Sequence, residues 1–124
     1  MITVPDCRYD DLKRGVDFIQ RHIFPGSLLI SLGRLNEVMK ATSELTTFQV
    51  DDMGLDYAKT LSEWHERFND RLLEVRDQGF SETFIRKWNY YLKYCEAAFA
   101  TRNISVVQAI YTKPNNEKLK PLRA

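Results

Sequence analysis

Few side chains in this sequence have the type and spacing that chemistry requires. The two histidines, His22 and His65, are far apart and fall in helical stretches. Histidine in such settings is more often structural than catalytic. Asp51 and Asp52 are adjacent carboxylates, but they open the turn Asp51-Asp52-Met53-Gly54, where acids serve local hydrogen bonds. No histidine or cysteine pair has metal-ligand spacing, so no zinc site is expected. The five glycines, at 15, 26, 33, 54 and 79, are scattered. None builds the glycine-rich strand-to-helix turn that cradles a nucleotide or a sulfonium cofactor. What remains is a set of aromatic and apolar side chains at helical spacing. Such stripes build cores first, and dry cavities where a core opens.

The elements that position these residues can be read from periodicity. Ile2-Thr3-Val4 is a short β-prone run stopped by Pro5. Arg8 to His22 reads as one helix, with Leu12, Val16, Ile19 and Ile23 on a face and Pro25-Gly26 ending it. The leucine- and isoleucine-rich loop that follows should lie on a core or line a cavity. Ser31 caps a second helix, roughly Leu32 to Ser43, and a strand follows near Thr46 to Asp51. Leu61, Trp64, Phe68, Leu72 and Val75 form the stripe of a third helix closed by Gly79. Ser81 caps a fourth, carrying Phe84, Trp88, Tyr91 or Leu92, Cys95 and Phe99. Two long helices joined by a short turn predict an antiparallel hairpin. Ile104 to Thr112 reads as a last strand. Three strands among four helices is an odd inventory for a complete α/β domain, and it suggests part of a larger sheet.

A chain of 124 residues is one domain or part of one, and 44% apolar residues place it among globular sequences. Eighteen Lys and Arg against seventeen Asp and Glu give +1, with the signs interspersed. Nucleic-acid binding needs a clustered basic face, so no nucleic-acid partner is expected. No apolar run approaches the ~20 residues that span a bilayer, and no secretory signal opens the chain. Cys7 and Cys95 make no disulfide framework, which fits a reducing cytoplasm. Residues 114–124 read as a polar, basic tail behind a main body of residues 1–113.

The order and spacing of several segments carry a resemblance that covers nearly the whole chain. These segments are Ile2-Thr3-Val4, Arg8-Tyr9-Asp10, Val16 to Ile23, the Phe24-Pro25-Gly26 turn, the Asp56-Tyr57 pair, Thr60-Leu61 with Trp64 and Arg67-Phe68, Trp88, Tyr91-Leu92, Cys95 and Phe99, and Ile104 to Gln108. Together they resemble the C-terminal portion of the cyclopropane-fatty-acyl-phospholipid and mycolic acid cyclopropane synthases, S-adenosylmethionine-dependent methyltransferases. The resemblance implies an α/β fold, the C-terminal part of a Rossmann-like methyltransferase. Its last strand would run antiparallel to its neighbours, and its helical hairpin would be an insertion over the acyl cavity.

The resemblance also implies a reaction. A methyl group passes from S-adenosylmethionine to a cis double bond of a phospholipid acyl chain, a carbocation forms, and bound bicarbonate removes a proton as the ring closes. Tyr57 matches the tyrosine that donates its hydroxyl to bicarbonate, Ile2 the residue whose backbone amide points at it, and Cys95 a cysteine near the active centre. Tyr57 near a helix start is physically apt, because free amides and the helix dipole favour an anion there. Phe24, Leu28, Leu29 and Trp64 are candidates for the dry wall. Taken without the resemblance, Tyr57 packs a ring at a helix start, and Cys95 is a core thiol.

The family's cofactor-binding front has no counterpart in these residues, so the chain by itself is expected to be inactive. An unpaired sheet edge is expected too, covered by homo-oligomerisation (dimerisation or swapping) or a shifted helix. The implied setting is cytoplasmic, peripheral to the inner membrane. Ser27 and Leu29-Ile30-Ser31 depart from the family's usual glycine and Leu-Pro-Ser run, which bears on lipid preference. The alternative is a non-catalytic helical module that holds an acyl chain or a protein partner.

Overall fold

The computed structural model describes residues 1–119. The chain forms two compact units, one of Met1–Met53 with the chain from Ile104 on, the other of Gly54–Asn103. The second is thus an insertion in the sequence of the first.

The first unit contains β1 (Ile2–Thr3), α1 (Asp6–Arg14), α2 (Phe18–His22), α3 (Leu32–Thr42), β2 (Thr46–Asp52) and β3 (Ser105–Thr112). Its strands are ordered β1-β3-β2, and β3 runs antiparallel to both neighbours, as expected for the last strand. Apolar β-prone side chains populate β3, and Val107 is buried near its middle. Thr47 pairs with Tyr111 and Gln49 with Ile110, so Phe48 is the extra residue of a bulge. Phe48 and Val50 on β2 are both exposed.

The single helix expected from Arg8 to His22 is two. Asp17 ends the continuity by capping a new helix: its carboxylate accepts from the Gln20 amide at 2.8 Å, and the Gln20 side chain accepts from the Asp17 amide at 2.9 Å. Gly15 is extended there, and Val16 turns to solvent instead of joining a stripe. The start of α3 is held twice. Ser31 Oγ accepts from the Arg34 amide at 3.1 Å, and Asp6 Oδ1 accepts from the Gly33 amide at 2.9 Å. A Cβ at position 33 would collide with the Asp6 carboxylate, so this close approach requires glycine.

The second unit is α4 (Gly54–Asp70), α5 (Leu72–Asp77) and α6 (Glu82–Ala100). Ala58 and Leu61 of α4 and Ile85, Leu92 and Phe99 of α6 form its core, with Phe99 only 1% exposed. Tyr57 meets Phe99 at one end, and the Asn69 amide donates to Asn89 Oδ1 at 2.6 Å toward the other. The pairing is antiparallel, as expected for the hairpin. The third helix stops at Asp70 instead of running to Val75. Asn69 turns its amide on the His65 carbonyl at 2.7 Å, the backbone competition that makes Asn-Asp a weak helix interior. The four helices expected are therefore six among the described residues.

Gly79, at φ +87°, makes the turn into α6. Ser81 caps that helix through the Phe84 amide at 3.2 Å. Arg76 and Glu82 bridge the turn at 2.6 Å, and the guanidinium holds the Glu82 carboxyl below its usual range. Residues 113–119 carry no helix or strand, and the last five residues of the expected tail lie outside the described residues.

Candidate functional site

The hairpin gathers the chain's chemistry on two helices. Tyr57 sits in the first turn of α4, half-buried. Its ring meets Phe99 edge-on at 4.9 Å and Trp64 at 6.0 Å. On α6, Tyr91 lies 5.0 Å from Trp88, and Cys95 is one turn further along the same face. Burial pushes the Tyr91 phenol up to about 12, and Cys95 and Tyr57 beside it push in the same direction. Two phenols and a thiol therefore share one neighbourhood, walled by Trp64, Trp88 and Phe99. At neutral pH Tyr91 is a neutral hydroxyl, able to donate a hydrogen bond without adding charge.

Such a site suits a cationic centre beside hydrocarbon. Aromatic faces attract positive charge, by about 0.5–2 kcal/mol each. The hairpin's ion pairs Arg67 with Glu63 and Arg71 with Glu74 lie at the surface, and Lys93 pairs with the less exposed Glu96. Among the described residues, no three His, Cys, Asp or Glu side chains gather to hold a metal ion. No helix among them is long and apolar enough to cross a membrane.

Tyr57 and Cys95 of the expected site thus come together, and Tyr91 joins them. From the sequence alone Tyr91 has a place in a stripe and in the resemblance, but no site role. Its signal was the Tyr91–Cys95 spacing of four, which puts both on one side of α6.

Ile2 belongs to the other unit, on β1. The Met1 amine donates to the Val107 carbonyl at 2.7 Å, and the Val107 amide donates back to Met1 at 2.8 Å. Such doubly bonded pairs alternate with unbonded ones in an antiparallel ladder. The next pair, Ile2 with Val106, is therefore unbonded, and the Ile2 amide points away from β3. On that side of β1 the described contact is the parallel bridge of Thr3 to Ile30.

The residues weighed first have local duties. His22 packs on Phe18 at 5.0 Å. The Asp52 carboxylate accepts from the Ser105 hydroxyl. Cys7 is exposed on α1. Phe24 and Leu28 are exposed in the loop before α3, and Trp64 is 45% exposed, so none of these three is core.

The family model for mycolic acid cyclopropane synthetase matches residues 2–109. The chain belongs to the mycolic acid cyclopropane synthetase family. Among family relatives, it is 35% identical over 107 residues to the tuberculostearic acid methyltransferase UfaA1 of Mycobacterium tuberculosis (strain ATCC 25618 / H37Rv). That match takes in 86% of this chain and 25% of the relative. To the cyclopropane-fatty-acyl-phospholipid synthase of Escherichia coli (strain K12) it is 34% identical over 99 residues, 77% of this chain and 24% of that protein. The crystal structure of the mycolic acid cyclopropane synthase CmaA1 complexed with SAH and CTAB shares the fold. It superposes with a TM-score of 0.72 at 24% identity, covering 89% of this chain and 41% of that one. The chain thus spans about a quarter of the length of these two curated relatives, and the family's fold is present over nearly all of it.

Proposed function

We propose that this chain forms the lipid-facing, C-terminal portion of a methyltransferase that adds a methyl or methylene group to the double bond of phospholipid acyl chains. The observation that carries the reading is the convergence of Tyr57, Tyr91 and Cys95 among the rings of Trp64, Trp88 and Phe99. Family membership supplies the reaction class.

The methyl donor is S-adenosylmethionine, in keeping with the SAH held by CmaA1. None of the glycines here builds a turn of the kind that cradles it, so no step through the donor is assigned to these residues. Their task is the acyl side. The aromatic rings offer apolar surface to the acyl chain and lower the energy of positive charge on the alkylated chain. The Tyr57 hydroxyl, near the amide-rich start of α4, fits a small anionic base such as bicarbonate as a neutral donor. Cys95 and Tyr91 shape the wall beside it. In the sheet unit, taken by itself, the outward Ile2 amide is a donor of the kind a small anion such as bicarbonate takes. The working place of such an enzyme is the cytoplasmic face of the inner membrane.

The test is lipid mass spectrometry of a host lacking its own cyclopropane synthase and expressing the whole methyltransferase of which this chain is the proposed C-terminal portion. Acyl chains heavier by one methylene or methyl are expected. Tyr57→Phe should lower their yield by on the order of 10²-fold, the usual loss for one donor at a reacting charge. An undiminished yield in that variant removes Tyr57 from the mechanism.

A further inference from the structure

The two long helices of the hairpin carry opposite charge on their outward faces. From Thr83 to Cys95, α6 holds Arg86, Lys87 and Lys93 and no acid. At 3.6 residues per turn these cations share the side of α6 turned away from the buried Ile85, Leu92 and Phe99, and Tyr90 and Tyr94 lie among them. Both tyrosines keep much of their rings in water, at 52% and 38% exposure, and they stack on each other at 5.8 Å and 21°. The outward side of α4 has the other sign. There Asp56, Glu63, Glu66 and Asp70 outnumber Lys59 and Arg67, and all of them are exposed.

Not every cation on α6 is equally available. Lys93 is bonded to Glu96 at 2.8 Å. Arg86 acts on the Glu82 carboxylate only through space, because that group is bonded to Arg76. Among the described residues neither Arg86 nor Lys87 closes an ion pair.

Exposed phenols between cations add nothing to the core of the hairpin. A ring with a polar tip is best placed where hydrocarbon meets water, and tyrosine gathers at that level of a bilayer. Cations beside it meet the negative headgroups of anionic lipid. An acidic protein would attract the same cations. The bilayer fits better because the face is a straight strip, about 12 Å from Arg86 to Tyr94 at 1.5 Å per residue, which a plane meets along its whole length.

We propose that the outward face of α6, with Arg86, Lys87, Tyr90 and Tyr94, is the surface by which the protein docks on an anionic phospholipid bilayer. The proposal rests on the lipid-modifying function above and adds which side of the hairpin meets the lipid. Anionic headgroups attract the α6 face and repel the α4 face, so the two faces together set one orientation of the hairpin on the membrane.

The test uses the whole methyltransferase of which this chain is the proposed C-terminal portion. Sedimentation with vesicles of phosphatidylethanolamine and phosphatidylglycerol gives its partition coefficient, with phosphatidylcholine vesicles as the zwitterionic reference. Arg86→Gln with Lys87→Gln should lower partitioning into the anionic vesicles about 25-fold, about fivefold for each cation near the surface. Partitioning into phosphatidylcholine should not change. Tyr90→Ala with Tyr94→Ala should lower partitioning into both kinds of vesicle. Lys59→Gln with Arg67→Gln removes the same charge from α4 and should change partitioning less than about twofold. All these positions are exposed, so the far-ultraviolet circular dichroism should stay as in the unsubstituted protein.

Undiminished anionic partitioning of the α6 pair overturns the docking face. So does an equal loss from the α4 pair, which makes net charge the cause. Lipid mass spectrometry of the same preparations separates this from the function. Methylated acyl chains with undiminished partitioning of the α6 pair overturn only the face. Partitioning through α6 with no methylated acyl chain overturns only the function. Methylation lost in the α6 pair at unchanged partitioning replaces the bilayer with an acidic protein.

Discussion

The two units of this chain solve different problems with different parts of the polypeptide. The sheet unit presents backbone. Its β1 is two residues long, its helices α1, α2 and α3 bury no residue, and its candidate donor is the main-chain amide of Ile2. The hairpin presents side chains. Its core is continuous from Ala58 to Phe99, and its flank carries the phenols, the thiol and the rings. A backbone donor needs only the register of a strand, whereas a wall of rings needs rigid neighbours. The division teaches that functional precision here follows packing on one side and hydrogen-bond register on the other.

The largest expected effect tests the hairpin's self-sufficiency. Phe99→Ala removes the ring that backs both the core and Tyr57. It should cost about 3–5 kcal/mol, measured by chemical denaturation with hydrogen exchange followed at the amides of α4 and α6. A cost near that of a surface substitution would mean that the hairpin does not depend on its own core.

How much of this contrast was legible beforehand follows the same line. The caps Ser31 and Ser81, the turn at Gly79 and the strand pattern of Val106, Val107, Ala109 and Ile110 are local signals, and each stands where the periodicity placed it. The breaks at Asp17 and Arg71 were hidden by apolar spacing that runs through them. Asp17 and Gln20 do have capping-box chemistry, but here without the serine or threonine that usually flags it. The Phe48 bulge depends on β3, far away in sequence. Tyr91 was invisible as a site residue because one ring in a stripe resembles another. Only antiparallel packing of α4 on α6 selects the one that meets Tyr57 and Cys95.

A smaller effect sharpens the other side of the comparison. Ser31→Ala removes a cap whose oxygen is bonded to the Arg34 amide, and Ser31 is 2% exposed. The loss should be about 1 kcal/mol, read as a lower denaturation midpoint. The Asp6 bond to Gly33 limits the damage.

The smallest effect is absent at neutral pH. Tyr91 titrates near 10 in the unfolded chain and about 12 in the folded one. Folding therefore favours its neutral form, and that stability is complete below pH 10 and lost as pH rises toward 12. Tyr91→Phe should flatten this alkaline slope, followed by denaturation at a series of pH values. The part-exposed ring keeps the slope shallow.

The position of β3 has a consequence for synthesis on the ribosome. Among the described strands Ser105–Thr112 comes last in sequence, yet it lies between the other two. Until it emerges, β1 and β2 lack the strand that joins them in the described sheet, whereas residues 54–103 can already close their hairpin. The ring cluster can therefore be assembled before β1 and β2 are joined, and translation that halts short of Ser105 leaves the β1 and β2 edges that face β3 open.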